Sequence, residues 1–161
     1  MVPDNTISSA DWIQLANATE EARDQGVQKR YTDLAAMPEE ERRNQMRTMV
    51  QALYTLPDDK VHAFTKSRLR AWARMEDASV KRVAASYKAV MDERPSQEAW
   101  RRVTMVQSAF KDLTPEERTR LQSLLPQLVP AATSTTFKPL APTPPEQPAS
   151  AKKKGWWPFR K

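Results

Sequence analysis

The amino-acid sequence predicts an all-α fold, a small bundle or compact stack of about five to six helices with a disordered Pro/Ala-rich C-terminal tail. The 161 residues include only two glycines, and residues that favour helices, such as Ala, Arg, Glu and Leu, are frequent. Apolar side chains recur at steps of three and four, the spacing of a helix with one buried face. Proline followed by two acids recurs where such stretches begin, as expected at a helix N-terminus. A chain of this length can form one domain with a substantial core.

The first predicted segment begins at Ser8 or Ser9, since either hydroxyl can cap a helix N-terminus. Its apolar face comprises Trp12, Leu15, Ala22, Tyr31 and Leu34. Gly26 interrupts the stretch and is a candidate break, because glycine weakens a helix. The segment is therefore either one long helix or two short ones.

Proline marks the start of three later helices, within residues 37–40, 56–59 and 114–117. Proline at the first helical position loses no hydrogen bond, and the two acids that follow face the positive end of the helix dipole. The first two starts lie 19 residues apart. At the same offset Val50 matches Leu69, Ala52 matches Ala71 and Leu53 matches Trp72. These matches indicate either a repeat of one helix and one tight turn, or only the common requirements of helices of similar length.

The remaining helices are predicted from their apolar faces. Those of the second to fourth helices comprise Met46, Met49, Val50 and Leu53; Val61, Phe64, Leu69 and Trp72; and Val80, Val83, Ala84, Tyr87 and Val90. The fifth, after Pro95 and Ser96, comprises Trp100, Val103, Val106, Phe110 and Leu113, and the sixth, after Pro115, comprises Leu121, Leu124, Leu125 and Leu128. Because the connections are short, consecutive helices are expected to pack as nearly antiparallel neighbours in a bundle, or in a short right-angled stack.

Composition divides the chain into a helical domain at residues 1–129, a disordered Pro/Ala/Thr-rich tether at 130–151 and a basic-aromatic targeting peptide at 152–161. The tether has too few apolar side chains to offset the entropy cost of ordering, and it would span about 25 Å as a flexible coil or about 65 Å as polyproline. Residues 130–161 hold six basic residues and one acid, which leaves 20 of the 26 basic and 19 of the 20 acidic residues to the domain. The net charge of +6 therefore belongs mainly to the tail.

No residue pattern predicts catalysis, a metal site or a cofactor, so the protein is expected not to be an enzyme. The chain has no cysteine, no glycine-rich phosphate loop and one histidine, His62, which lacks the partners of a metal site or a catalytic triad. Most acids occupy the first turns of helices or lie near an arginine. The predicted surface pairs are Glu39 with Arg42 or Arg43, and Glu117 with Arg120.

Two features of the predicted domain allow both a binding and a structural interpretation. Lys66, Arg70 and Arg74 share a helix face and could contact phosphates, but the near-neutral domain favours a solvated face balanced by acids on neighbouring helices. Methionines on or beside the apolar faces form either an adaptable binding groove or, as the favoured interpretation, gap-filling parts of the core. They are Met37, Met46, Met49, Met75, Met91 and Met105.

The terminal peptide is the candidate binding site, and its binding residues are Lys152, Lys153, Lys154, Trp156, Trp157, Phe159, Arg160 and Lys161. Lysine and arginine are attracted to anionic lipid, and tryptophan favours the level of the headgroups. The favoured function is therefore a membrane-surface anchor. The alternatives, in order, are a short linear motif that docks the domain onto a protein scaffold, shell or assembly, a solubilising tail, and binding of single-stranded nucleic acid.

Together these features predict a non-enzymatic adaptor that the terminal peptide brings to the cytoplasmic face of an anionic membrane. A further protein is expected to bind the helical domain, whereas nucleic acid is not an expected partner. The N-terminus shows no secretory leader pattern, and no stretch approaches the roughly 18 apolar residues of a membrane span. A cytoplasmic protein, peripheral on the inner face of the membrane, is expected.

Overall fold

The computed structural model describes residues 6–126, all of which belong to one compact unit. The all-α prediction is confirmed for this part of the chain, which forms helices α1 (Ser9–Ala16), α2 (Glu20–Ala36), α3 (Glu39–Leu53), α4 (Asp58–Arg74), α5 (Asp77–Asp92), α6 (Ser96–Lys111) and α7 (Pro115–Leu124). The described residues contain seven helices rather than five to six, because the first predicted segment forms two. The tether and the terminal peptide lie outside the described residues, so the predicted boundaries at 130 and 152 stay predictions.

The break between α1 and α2 falls just before Thr19 and not at Gly26. Ser8 caps α1 in a capping box, since its hydroxyl accepts from the Asp11 N–H while the Asp11 carboxylate accepts from the Ser8 N–H. Thr19 caps α2 with its hydroxyl. Gly26 lies inside α2, where a Cβ atom would come within 2.5 Å of Cδ1 of Leu15. Glycine at this position therefore lets α1 approach closely and does not end the helix.

Helices α2 to α7 begin at a constant interval of 19 residues. Their N-cap residues are Thr19, Pro38, Pro57, Glu76, Pro95 and Thr114. Pro115 is the first residue of α7, as predicted. Pro38 and Pro57 were predicted as first helical residues but are N-caps, so α3 and α4 each begin one residue after the proline. The period that the sequence indicates for two helices thus extends over six.

Equivalent side chains make equivalent hydrogen bonds in successive 19-residue units. Nε of Arg23 donates to the Ser67 hydroxyl at 3.1 Å, and Nε of Arg42 donates to the Ser86 hydroxyl at 2.8 Å. Each of these arginines also donates to the backbone carbonyl five residues before it. A second recurring set donates to carbonyls near helix C-termini, with Arg82 on Ala35, Arg101 on Tyr54 and Arg120 on Ala73. Similar helix starts alone would not reproduce these contacts, so the 19-residue unit is a structural repeat.

The main packing contacts join every second helix and not consecutive ones. Helix α1 packs on α3, α2 on α4, α3 on α5 and α4 on α6, while α7 packs on α4 and α5. The expectation that consecutive helices are the principal partners is therefore wrong, because each short turn directs the next helix into the other of two rows. The fold is a two-row stack, in which α2, α4 and α6 form one row.

The core lies between the two rows and is rich in aromatic side chains. Trp72 lies between Tyr31 and Tyr87, with ring centroids 5.8 and 5.9 Å away in edge-on contacts, and Trp12 packs edge-on against Phe64 at 6.0 Å. The predicted apolar faces of the second to fourth helices are entirely buried. The core role of the methionines is confirmed, with Met46, Met49, Met75, Met91 and Met105 buried and Met37 packed against the core. Ala22 is exposed, contrary to prediction, because it lies on the outward side of the first turn of α2.

Candidate functional site

The residues predicted to bind a membrane or a partner lie outside the described residues. They are Lys152, Lys153, Lys154, Trp156, Trp157, Phe159, Arg160 and Lys161. Their role stays a prediction from their chemistry. The described domain, in contrast, allows each surface that the sequence singles out to be examined by its contacts.

The basic stripe of α4, formed by Lys66, Arg70 and Arg74, is paired with carboxylates. Lys66 and Arg70 lie 3.2 and 2.7 Å from Oε2 of Glu20, and Arg70 lies 2.9 Å from Oδ2 of Asp24. Hydrogen bonds from Arg70 and Lys66 hold the pKa of Glu20 below its ordinary value. Arg74 also has an acidic neighbour, on α7. The stripe is therefore the acid-balanced face that the sequence favours, and a phosphate would have to displace carboxylates to bind it.

Glu117 and Arg120, predicted as a pair within α7, bind partners on other helices. Glu117 lies 3.7 Å from Arg74, and Nη2 of Arg120 lies 3.0 Å from Oδ1 of Asp77. The prediction is wrong because α7 packs on α4 and α5, which bring these charges closer than the next turn of α7 does. These ion pairs tie α7 to the stack.

A buried cation lies among the aromatic rings of the core. The guanidinium of Arg68, a residue only 3% exposed, lies 4.3 Å from the ring centroid of Tyr87 and 5.6 Å from that of Trp72. Burial raises the pKa of Tyr31 and of Tyr54 above the ordinary tyrosine value, so these hydroxyls stay protonated at neutral pH. The rings thus stabilise the cation through their faces, and the cluster supplies no ionised nucleophile or base.

Nothing in the described surface resembles a metal centre. Nε2 of His62 lies 3.5 Å from Oδ2 of Asp112, and the predicted pair of Arg43 with Glu39 forms at 2.7 Å. Across residues 6–126 there is no group of three or more His, Asp or Glu side chains that could hold a metal ion. Within the same range, no helix is both long and apolar enough to cross a membrane.

Two shallow grooves on the domain each contain an ion pair of the fold. One groove of about 630 Å³ lies between the start of α5 and α7 and includes Asp77 and Arg120. Another, of about 610 Å³, lies between α2 and α4 and includes Asp24 and Arg70. These two ion pairs offer little free charge to a small ligand, while the exposed Glu116 and Glu21 also line the two grooves.

Trp100 stands out among residues 6–126 as a large apolar side chain with 54% of its surface exposed. Its prediction as part of the buried face of the fifth helix is wrong. The buried side of α6 carries Met105, Val106, Ala109 and Phe110. At the position of Trp100 the other repeats carry Asp24, Arg43, His62, Lys81 and Thr119. All five are polar, so an alignment of the six repeats would have identified this position as one that lies outside the apolar core.

Trp100 borders a side of α6 that the other helices of the stack leave half-exposed. The fourth, eighth and twelfth residues after the N-cap are buried in α2, α3 and α4, each of which is covered by the helix two units further on. In α6 these residues are Ala99, Val103 and Gln107, and all three are half-exposed because no described helix follows α6 in its row. We call Ala99, Trp100, Val103 and Gln107 the α6 face. It carries no charged side chain.

No family model, curated protein or solved structure matches this chain. Its function must therefore be inferred from its own residues.

Proposed function

We propose that this protein is a non-enzymatic adaptor that its C-terminal peptide recruits to the surface of an anionic membrane, where the helical stack binds another protein. The observation that carries the proposal is the composition of residues 152–161. Five basic residues and three aromatic residues occur there without a single acid. This combination supplies both terms that a peripheral anchor needs, attraction to anionic headgroups and insertion at their level.

The magnitudes favour reversible binding. Each basic side chain near an anionic surface contributes about 1 kcal/mol, so five contribute at most about 5 kcal/mol, and salt weakens this term. Trp156, Trp157 and Phe159 add apolar contact at the interface. Gly155 and Pro158 disfavour a continuous amphipathic helix, so we expect an extended segment.

The charges of the domain support placing recruitment in the terminal peptide. Residues 1–129 are nearly neutral, and the basic stripe of α4 is neutralised by carboxylates of α2 and α7. A neutralised stripe is a poor second site for anionic lipid. The repeat stack, in turn, is a type of architecture that proteins use to present extended binding surfaces.

Co-sedimentation with lipid vesicles tests the proposal. The full chain is expected to sediment with anionic vesicles at low salt and to remain in solution with neutral ones. Replacing Lys152, Lys153 and Lys154 together by alanine should weaken sedimentation strongly. A matched variant, in which the exposed domain residues Lys81, Lys88 and Lys111 become alanine, loses the same charge and should sediment like the native chain. Equal weakening in both variants would refute a local site.

A scrambled terminal peptide separates a lipid anchor from a linear motif. Binding to a membrane surface depends on the composition of the peptide and not on its order. A chain whose residues 152–161 are scrambled should therefore still bind anionic vesicles. Binding in a protein pocket depends on the order of the aromatic side chains, so a scrambled chain should no longer bind there. Loss of vesicle binding on scrambling would contradict the lipid-anchor proposal.

A further inference from the structure

We propose that the α6 face is a self-association surface, on which a second copy of this chain packs its own α6 about a two-fold axis. This inference goes beyond recruitment to a membrane and does not depend on it, because the surface lies in the helical stack and not in the terminal peptide.

The position of the α6 face within the stack is the first argument. In the row that contains α6, α2 packs on α4 and α4 packs on α6. The side of α2 and of α4 that receives the next helix is the side that α6 leaves half-exposed. Helix α7 does not take that place, since it packs on α4 and α5. A second α6 would therefore cover the side of α6 on which the next helix of the row would otherwise pack.

The chemistry of the face favours a copy of itself. In a two-fold interface each residue group meets the same group of the other copy, so a charged face repels its own copy. The corresponding side of α2 includes Glu20 and Asp24, whereas the α6 face is uncharged. Trp100 adjoins the smaller residues Ala99 and Val103, so the large ring of one copy can pack over the small side chains of the other.

The size of the face sets the strength of the association. A helix of 16 residues is about 24 Å long and buries a strip of about a third of its circumference, on the order of a few hundred Å² per copy. Stable dimers bury about 800 Å² per partner. We therefore expect a weak, concentration-dependent dimer, with a dissociation constant of tens to hundreds of micromolar, on the order of the weakest specific contacts.

Sedimentation velocity of the full chain tests this inference. Between about 5 and 500 µM the weight-average mass is expected to rise from one copy towards two. Trp100→Glu should lower the association constant at least about tenfold, because it removes the ring and buries a carboxylate against the apolar side chains of the other copy. Ala85→Glu adds the same charge at an exposed position of α5 and should associate like the native chain. A chain that stays monomeric throughout, or a Trp100→Glu variant that associates normally, would overturn the inference.

Cross-linking provides a second test that does not depend on the tolerance of Trp100→Glu. The chain contains no cysteine, so Val103→Cys introduces a single thiol on the α6 face and Ala85→Cys introduces one on α5. Under mild oxidation Val103→Cys should form a disulfide-linked dimer at least about tenfold faster, because the two-fold packing brings the thiols together. Equal rates for the two variants would also overturn the inference. Far-UV circular dichroism of each variant shows whether its helices are intact.

Discussion

The two ends of the row formed by α2, α4 and α6 carry different kinds of side chain on their outer sides. At the tenth position after the N-cap, α2 carries the exposed Lys29, which pairs with Asp33 at 2.9 Å. At the equivalent position α4, α5 and α6 carry Ser67, Ser86 and Met105, all buried. At the other end of the row, the α6 face exposes Trp100 and carries no charged side chain. Repeat stacks need a polar outer face where they end, and within residues 6–126 only the N-terminal end of this row carries such a face.

The first prediction tests whether the interior and the open end differ in energy as their burial implies. Trp72→Ala removes a ring that is 2% exposed and held between two tyrosines, and it should lower the free energy of unfolding by about 3–5 kcal/mol. Trp100→Ala should lower it by less than about 1 kcal/mol, because that ring is half in solvent. Guanidinium-induced unfolding followed by circular dichroism measures both. Equal losses would contradict the packing described here.

The second prediction tests whether one pair of positions in the repeat can hold either a hydrogen-bonded pair or an apolar pair of side chains. Arg42 bonds Ser86 between α3 and α5, while the equivalent positions of α4 and α6 hold Val61 and Met105, both buried. Arg42→Val alone should cost about 1–3 kcal/mol, since it leaves buried acceptors unsatisfied.

Combining Arg42→Val with Ser86→Met should recover most of that loss, because the pair then matches the apolar pair found one repeat later. A double-mutant cycle of the free energies of unfolding measures the coupling. If the two losses simply add, the repeat units are not equivalent at this position.

The third prediction exchanges the character of the two ends. Lys29→Trp removes the charge that ends the stack, and it should leave the free energy of unfolding within about 0.5 kcal/mol while making the protein associate at high concentration. Trp100→Lys should have a similarly small effect on stability and should reduce association. Light scattering against concentration follows both variants. The distinction between the ends fails if Lys29→Trp scatters like the native chain.

The fourth and smallest effect concerns acid pH at the N-terminal end. The pKa of Glu20 is lowered in the folded state by hydrogen bonds from Arg70 and Lys66. Its ionised form therefore stabilises the fold above the ordinary glutamate pKa, and this contribution is lost as the pH falls from there through the lowered pKa. Urea midpoints measured against pH should fall less steeply for Glu20→Gln than for Glu21→Gln, a neighbouring exposed glutamate. Identical acid limbs would show that the pair contributes nothing measurable.

Patterns within a single stretch of sequence predict most of the helices, because N-caps and apolar spacing depend only on residues close together in the chain. Apolar spacing of three and four residues places the faces of α3, α4 and α5, and Ser8 marks the first N-cap. The pairing of alternate helices is not a local property. Arg42 looks like a surface residue within its own helix, and Ser86, one of the groups that it bonds when buried, lies 44 residues away. A pattern confined to one helix therefore cannot show which helix covers it.

The two candidate binding surfaces differ in the same way. The terminal peptide is conspicuous from composition alone, and its role stays a prediction. The α6 face was missed because Trp100 and Val103 fit an apolar helix face, and a tryptophan at that spacing is usually core. Only comparison with the same positions in the other repeats, where polar residues stand in place of Trp100, separates an outward tryptophan from a buried one.

The most direct test of the account compares the full chain with a chain that ends at Ser150, by co-sedimentation with neutral and anionic vesicles at low and high salt. The full chain should sediment with anionic vesicles at low salt, and the shortened chain should stay in solution under every condition, because recruitment is placed in residues 152–161. Sedimentation of the shortened chain, or equal binding of the full chain to neutral and anionic vesicles, would contradict the account.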